Sequence, residues 1–373
     1  MSRTKRQKLK LAIDFGGSST KAIGDIGDQL IPVVMSPEVI EVGTIDLDDY
    51  RQQHDLDLWH RSFVGVGDRY FAVGDLAMRL GATQALKRLK AQTAVYKVLA
   101  IVSILAQRLN LGRSFDLELG CLLPPGEFAD RERLQTRLIE ALADFDTPVG
   151  GRTVQLTNVQ FYPEGLGIAH LYYLNRPQTG KVGVIMAGHR NISCYAMQGK
   201  QPVQKATSDL GFQSWIGLII DRTSGYELSS LSTAVARYWT VKDKAMLDEV
   251  LRHREAVERE IELEHLIKAI KSTQITYWQS IQDWLEDKFP TGIEEAMLSG
   301  GTAEVLQDDF VNFLKARLPT RADCGNRQGV FNDRAFKQIP DLKVPDGYQS
   351  RFADVYCLSQ YLMSKSSTKI RSK

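Results

Sequence analysis

The segment that most constrains the fold is Leu9-Lys10-Leu11-Ala12-Ile13-Asp14-Phe15-Gly16-Gly17-Ser18-Ser19-Thr20-Lys21. An apolar strand ends in an acid, followed by two glycines, three hydroxyl side chains and a lysine. The pattern reads as a strand, then a tight hairpin back into Thr20–Ile26. The same residue types suit a phosphate group held together with a metal ion. Glycines let backbone N–H groups approach an anion closely. Hydroxyls add donors, Lys21 adds a point charge, and Asp14 can hold water on Mg²⁺. The arrangement is neither a G-x-x-x-x-G-K-[ST] loop nor a G-x-G-x-x-G fingerprint. Taken alone, it also suits an ordinary hairpin with a Gly-Gly turn.

Bulk properties narrow the class. A length of 373 residues suggests about two domains, and 43% hydrophobic with 25% charged residues is ordinary for globular chains. A net charge of +2 argues against a dedicated nucleic-acid binder. Basic residues gather at the two ends, Arg3 to Lys10 and Lys365 to Lys373, where solvated tails explain them. Cys121, Cys194, Cys324 and Cys357 are scattered without a C-x-x-C pair, which argues against a zinc or disulfide framework. No apolar run approaches the roughly 20 residues of a membrane span. The basic start runs straight into a strand with no cleavage pattern. The expectation is a soluble, cytoplasmic protein.

Patterning along the chain predicts a strand-rich first third, with a hairpin at Phe63–Val73. The spacing of Val95, Val98, Leu99, Val102, Leu105 and Leu109 predicts a helix ending near Asn110–Gly112. A strand over Asp116–Leu123 follows, then a helix marked by Leu134, Leu138 and Leu142, with Asp130 as its expected cap. Val154–Tyr162 reads as a strand, and Pro163-Glu164-Gly165 as the start of a helix through about Tyr173. A linker at Asn175–Gly180 precedes a fresh start, with strands over Lys181–Ala187 and Ile192–Met197 and a third after Gly199-Lys200. A long charged helix is expected over Lys244–Phe289, a short strand at Ala296–Leu298, and a closing helix at Phe352–Met363. Strand–loop–strand opens both halves, about 170 residues apart, which suggests a duplicated α/β domain. A ligand cleft between two lobes is the expectation.

Three further elements carry chemistry. The loop Ala187-Gly188-His189-Arg190-Asn191 mirrors the first hairpin. Ser299-Gly300-Gly301-Thr302-Ala303-Glu304 runs from strand into helix, where glycines allow a flat adenine or ribose to lie against the backbone. Glu164, at the end of a strand, can serve as a water-positioning base.

The order of these pieces resembles the actin-like ATPase superfamily, shared by actin, sugar kinases and the heat-shock chaperone ATPases. Within it the chain most resembles the bacterial plasmid-segregation actins of the ParM/StbA type. Asp14–Lys21, Pro163-Glu164, Leu298–Glu304 and Arg351-Phe352-Ala353-Asp354-Val355-Tyr356 carry the likeness. The resemblance implies a duplicated, ribonuclease H-like, two-lobed α/β fold with a nucleotide cleft. Lobe I would span 1–178, with a small subdomain about 30–90 and the helix 352–363 packed back on it; lobe II would span 179–351. It implies ATP or ADP as ligand, with GTP as the alternative, and Mg²⁺. Asp14 would organise the metal, and Gly16, Gly17, Ser18, Ser19 and Lys21 would contact phosphates. Glu164 would orient the attacking water. Gly188, His189 and Arg190 would approach the phosphates from lobe II, and Gly300, Gly301, Thr302 and Glu304 would surround the adenosine. Partners implied are further copies of the chain in a head-to-tail filament and a DNA-binding adaptor.

One departure bears on activity. The family's second phosphate loop carries acids where this chain has Met186 and Ser193. Methionine cannot hold a metal-bound water, so binding with slowed hydrolysis is expected. His189 reads better as an exposed loop residue than as a substitute base. Two other functions stay open: a sugar or metabolite kinase, for which Asp209 and Asp221 are weak candidate bases, and a non-hydrolysing scaffold. The charge-dense Arg252–Glu264 segment reads as a solvated helix face, and Tyr277, Trp278, Ile281 and Trp284 as packing.

Overall fold

A computed structural model describes residues 6–27, 29–53, 55–82, 90–169, 180–199, 201–223, 225–318, 330–332, 342–345, 348 and 350–370. The chain forms two compact units, residues 1–175 with 334–373, and residues 176–333.

In the first unit, β1 (Lys8–Asp14) turns into β2 (Thr20–Asp25), which pairs antiparallel with it and with β3 (Leu30–Met35). On its other side β1 pairs parallel with β7 (Ser114–Leu123), and β7 with β8 (Thr153–Pro163). The order β3-β2-β1-β7-β8 puts the apolar first strand at the centre. Leu9, Leu11 and Ile13 alternate to one face, under Val98, Ile101, Val102 and Leu105 of the helix Lys90–Arg108. Ala12 turns to the other face, with Ile23 and Leu122, and meets Phe352, Val355, Leu358 and Leu362 of the closing segment. The closing helix runs Ala353–Ile370 after a 3-10 turn at Ser350–Phe352. Gly120 of β7 permits that approach, because a Cβ there would lie 2.8 Å from Leu362 Cδ1. A separate three-stranded sheet is made of β4 (Val39–Val42), β5 (Phe63–Val66) and β6 (Arg69–Val73), in the order β4-β6-β5.

The second unit repeats the plan. The strands β9 (Lys181–Ala187), β10 (Ile192–Gln198) and β11 (Gln201–Ser208) form an antiparallel meander. Beside β9, β12 (Glu295–Ser299) and β13 (Val330–Asn332) add in parallel. The order β11-β10-β9-β12-β13 matches the first sheet strand for strand, in both position and direction. Its core joins Ile185 and Ala187 to Trp215, Ile270, Tyr277 and Ile281. Trp215 donates its indole N–H to Thr273 Oγ1 at 3.0 Å and stacks on Tyr277, which satisfies the polar atom of a fully buried ring.

Several local expectations need correction. Asp130 precedes the helix Arg131–Ala143 but its side chain makes no capping hydrogen bond. Lys244–Phe289 is not one helix: a 3-10 segment Lys244–Val250 is followed by an extended stretch, and the long helix runs Ala256–Lys288. The break has a cause in Glu262, 8% exposed, which accepts from Arg252 Nε and from the backbone N–H groups of Arg252 and His253, folding that stretch back on the helix. These donors hold the Glu262 carboxyl down at about 2, against the opposing effect of burial. The helix after Ser299 is split at Leu306 into Gly301–Val305 and Gln307–Arg317. The turn after Glu164 is helical from 166 to 169, while its expected extension to Tyr173 and most of the 175–180 linker lie outside the described residues. Among the described residues, no helix is long and apolar enough to cross a membrane.

Candidate functional site

In the first unit the ends of β1 and β8 assemble a compact charged site. Asp14, the last residue of β1, is 9% exposed and faces Lys21 across the hairpin, Oδ2 to Nζ 2.5 Å. Gly16 sits where a Cβ would come within 2.5 Å of the Ser19 carbonyl oxygen, so the hairpin closes only over a glycine. Gly17 and the exposed Ser18 form its tip, and Ser19 is buried. The Thr20 hydroxyl is buried with no hydrogen-bond partner among the described residues.

Glu164 follows the end of β8 and its backbone N–H donates to the Leu123 carbonyl at 3.0 Å, which ties the turn to β7. Its carboxylate, 8% exposed, is ion-paired with Lys90. Lys90, itself 7% exposed, opens the helix Lys90–Arg108. Burial works against the Lys90 ammonium, yet Glu164, Asp14 and Glu127 outweigh it and hold its pKa above the ordinary lysine value. An ion pair alone would lower Glu164. Burial instead raises its carboxyl, with Lys90 opposing and Asp14 adding to the rise.

The closing segment completes the site. Asp354 is 6% exposed and accepts from the backbone N–H groups of Gly165 at 2.6 Å, Gly167 at 2.8 Å and Ile168 at 3.3 Å. It therefore caps the turn that carries Glu164. Arg351, three residues earlier, donates to the hydroxyls of Ser18 and Ser19. In the sequence, residues 351–356 mark a closing helix with no chemistry assigned to them, and Lys90 belongs to no motif. A lysine opening an otherwise apolar helix was the available signal for Lys90.

Burial pushes the Asp354 carboxyl up to about 7, with the N–H groups of Gly165 and Gly167 opposing, and Asp14 and Glu164 adding to the rise. Its ordinary value is about 4. Between those values the folded protein binds a proton that the unfolded chain has released, so stability falls as pH rises from about 4 to about 7. The slope from this one group is at most about 1.4 kcal/mol per pH unit. Urea unfolding of the wild type and Asp354→Asn across pH 4–8 should show the wild type losing ground steadily to the variant over that window. A constant difference between them would contradict the assignment.

In the second unit, β9 and β10 reproduce the hairpin. Met186 pairs with Ser193 as Asp14 pairs with Lys21, each pair seven residues apart. The positions held by an acid and a lysine in the first hairpin are thus held here by a thioether and a hydroxyl. The Ser193 hydroxyl meets the Thr207 hydroxyl at 3.0 Å. Gly188 donates its N–H to the Asn191 carbonyl at 2.9 Å, while the Gly188 and His189 carbonyls accept from Phe212 and Gln213 at the start of the helix Phe212–Thr223. His189 is not an exposed loop residue: it is half-buried, its ring 6.1 Å from that of Phe212. Arg190 is half-buried, and its carbonyl accepts from Gly211.

The structure brings the Gly300 turn onto this loop. Gly300 has φ 103°, and a Cβ there would lie 2.3 Å from the Ala187 carbonyl oxygen. Thr302 donates its hydroxyl to the Gly188 carbonyl at 2.7 Å. A Cβ on Gly301 would meet nothing within 4 Å, and Glu304 is half-buried in the same short helix. Asp209 and Asp221 are both exposed.

The family profile described as actin like proteins, N-terminal domain, matches residues 12–167, which hold Asp14, the hairpin and Glu164. The chain has an actin-like fold. A ParM filament structure from Clostridium botulinum matches with a TM-score of 0.59 at 15% identity, covering 95% of this chain and 99% of that one. A crystal structure of Ta0583, an archaeal actin homologue, matches with a TM-score of 0.54 at 16% identity over 96% and 99%. Bacillus thuringiensis ParM with ADP matches with a TM-score of 0.57 at 11% identity over 96% and 100%. At these identities the likeness is one of fold, and it extends the actin-like plan to the second unit. Comparison with curated proteins finds no match.

Proposed function

We propose that this actin-like protein binds ATP with Mg²⁺, hydrolyses it slowly, and assembles head to tail into filaments that segregate DNA or serve as a cytoskeleton, through a DNA-binding adaptor in the first case. The observation that carries the reading is the group of buried Asp14, Lys90 and Glu164 with half-buried Lys21 in the first unit. The residues fit a phosphate: Gly16 lets the hairpin close tightly with Lys21 beside it, and the buried Thr20 hydroxyl lacks a partner among the described residues. They fit a hydrated Mg²⁺ better than a directly caged one, because no cluster of three His, Cys, Asp or Glu ligands occurs among the described residues. When bound, the metal would neutralise charge on the phosphates.

The residue roles follow from the chemistry each can offer. Asp14 orients the metal's waters, Gly16, Gly17, Ser18, Ser19 and Lys21 hold the phosphates, and Glu164 accepts a hydrogen bond from the attacking water. Within the second unit, Gly188, His189 and Arg190 offer groups suited to phosphate, and Gly301, Thr302 and Glu304 groups suited to the nucleoside. Two features favour slow turnover. Met186 offers no metal-directed carboxylate, and Lys90 occupies the Glu164 carboxylate that the water needs. Filament assembly rests on fold likeness to proteins whose filaments have been solved.

Sedimentation with ATP, with ADP and without nucleotide tests assembly: a pellet that depends on nucleotide is expected. Turnover should be slow and lost in Glu164→Ala, and Asp14→Ala should abolish Mg²⁺-dependent ATP binding. Fast turnover that survives Glu164→Ala, or near-normal Mg-ATP affinity in Asp14→Ala, overturns the assignment.

A further inference from the structure

Among the described residues, Lys21, Lys90 and Arg351 are cations at or beside the first hairpin, and the first two are ion-paired. Lys21 is held by Asp14 at 2.5 Å and Lys90 by Glu164. Arg351 has no carboxylate partner among the described residues. Its guanidinium meets neutral groups: it donates to Ser18 Oγ and, at 3.3 Å, to Ser19 Oγ, and lies 4.7 Å from the centre of the Tyr348 ring. A guanidinium spread over two hydroxyls has its fork of donors facing a place where an oxyanion is the natural acceptor.

The placement is enforced by neighbouring residues rather than by a loose surface side chain. Phe352 is fully buried and donates its N–H to the Tyr348 carbonyl at 3.1 Å. Asp354 is fastened to the Gly165–Ile168 turn. Stacking on Tyr348 limits the rotamers open to Arg351. The hydroxyls that it touches belong to the hairpin that also carries Lys21 and a buried Thr20 hydroxyl with no hydrogen-bond partner among the described residues.

We propose that Arg351, delivered by the closing segment, is a phosphate-binding residue of the first hairpin and supplies its positive charge to a nucleoside di- or triphosphate. The proposal rests on the nucleotide reading above and adds to it a ligand residue from the far end of the chain. Asp354 acts as a positioning residue, since it fixes the backbone three residues on. The arrangement links the closing helix to phosphate occupancy, because the same short segment touches the hairpin through Arg351 and the Glu164 turn through Asp354.

The test is calorimetric titration of the full-length protein with ATP, ADP and adenosine, each with Mg²⁺, for wild type, Arg351→Ala and Arg351→Lys. A charge-assisted contact of this kind corresponds to roughly a tenfold to hundredfold loss of affinity on truncation. Arg351→Ala should lose that much for both ATP and ADP and leave adenosine binding unchanged, with Arg351→Lys in between because the charge remains without the fork. Thermal unfolding should be nearly unchanged, as the side chain is half-exposed and carries no ion pair among the described residues. ATP and ADP affinities equal to wild type in Arg351→Ala overturn the proposal while leaving the nucleotide reading intact. Tighter binding also overturns it, since Arg351 would then be a latch competing with phosphate. A wild type that binds neither ATP nor ADP defeats the nucleotide reading and this proposal with it.

Discussion

Lys90→Ala is expected to destabilise the protein by about 3–5 kcal/mol. The lysine and its partner Glu164 have side chains only 7% and 10% exposed, so removal of the ammonium strands a carboxylate in dry surroundings. Asp14 lies close enough to raise the Glu164 carboxyl, and that repulsion would go unopposed by Lys90. The fault is electrostatic rather than steric, which gives the experiment its second arm. Lys90→Met combined with Glu164→Gln keeps most of the volume and removes both charges, and should recover most of the lost stability. Urea midpoints of the wild type, Lys90→Met, Glu164→Gln and the double variant measure the coupling directly. Unchanged stability in Lys90→Ala, or a double variant no better than the single, would show that the pair does not hold this site together.

Two adjacent glycines should respond in opposite ways. Gly300→Ala is expected to cost on the order of 4 kcal/mol or more. Its φ of 103° is a backbone conformation reserved for glycine, and its Cβ would be driven to 2.3 Å from the Ala187 carbonyl oxygen. That oxygen lies at the end of β9, which pairs with β12 through the Ser299–Met186 register, so neither side can yield without parting the sheet. Gly301→Ala should change stability by no more than about 0.5 kcal/mol, because its Cβ would enter open space. In the proposed function that open space belongs to the nucleoside, so Gly301→Ala should weaken nucleotide binding at nearly wild-type stability. Equal stability losses for the two would remove the distinction drawn between them.

Much of the fold is legible in the chain because the relevant signals are local. Lys181–Ala187 reads as a strand from its apolar run and its glycine stop, and the structure places a strand there. The hairpin at Asp14–Lys21 and the strand before Gly300 are likewise written in neighbouring residues. The charged stretch after Lys244 misleads for the same reason. Helical spacing continues through residues 244–255, but Glu262 takes Arg252 and the backbone beside it, and a tertiary bond overrides local propensity.

The candidate site divides along the same line. By itself the sequence determined which short segments could carry chemistry: the acid, glycines, hydroxyls and lysine of the first hairpin, Glu164 after its strand, and the glycines at 188, 300 and 301. It also determined the absence of an acid at Met186, since that follows from one position in a repeated pattern. Only the tertiary structure decided which groups meet those segments. Lys90 comes to Glu164 from 74 residues away, and Arg351 to Ser18 from 333. Only the structure separated Gly300, a glycine because Ala187 passes behind it, from Gly301, which faces open space. The reason is physical: a hairpin or strand end is specified by backbone preferences within a few residues, whereas an ion pair, a capped turn or a close backbone approach exists only once distant strands and helices have packed.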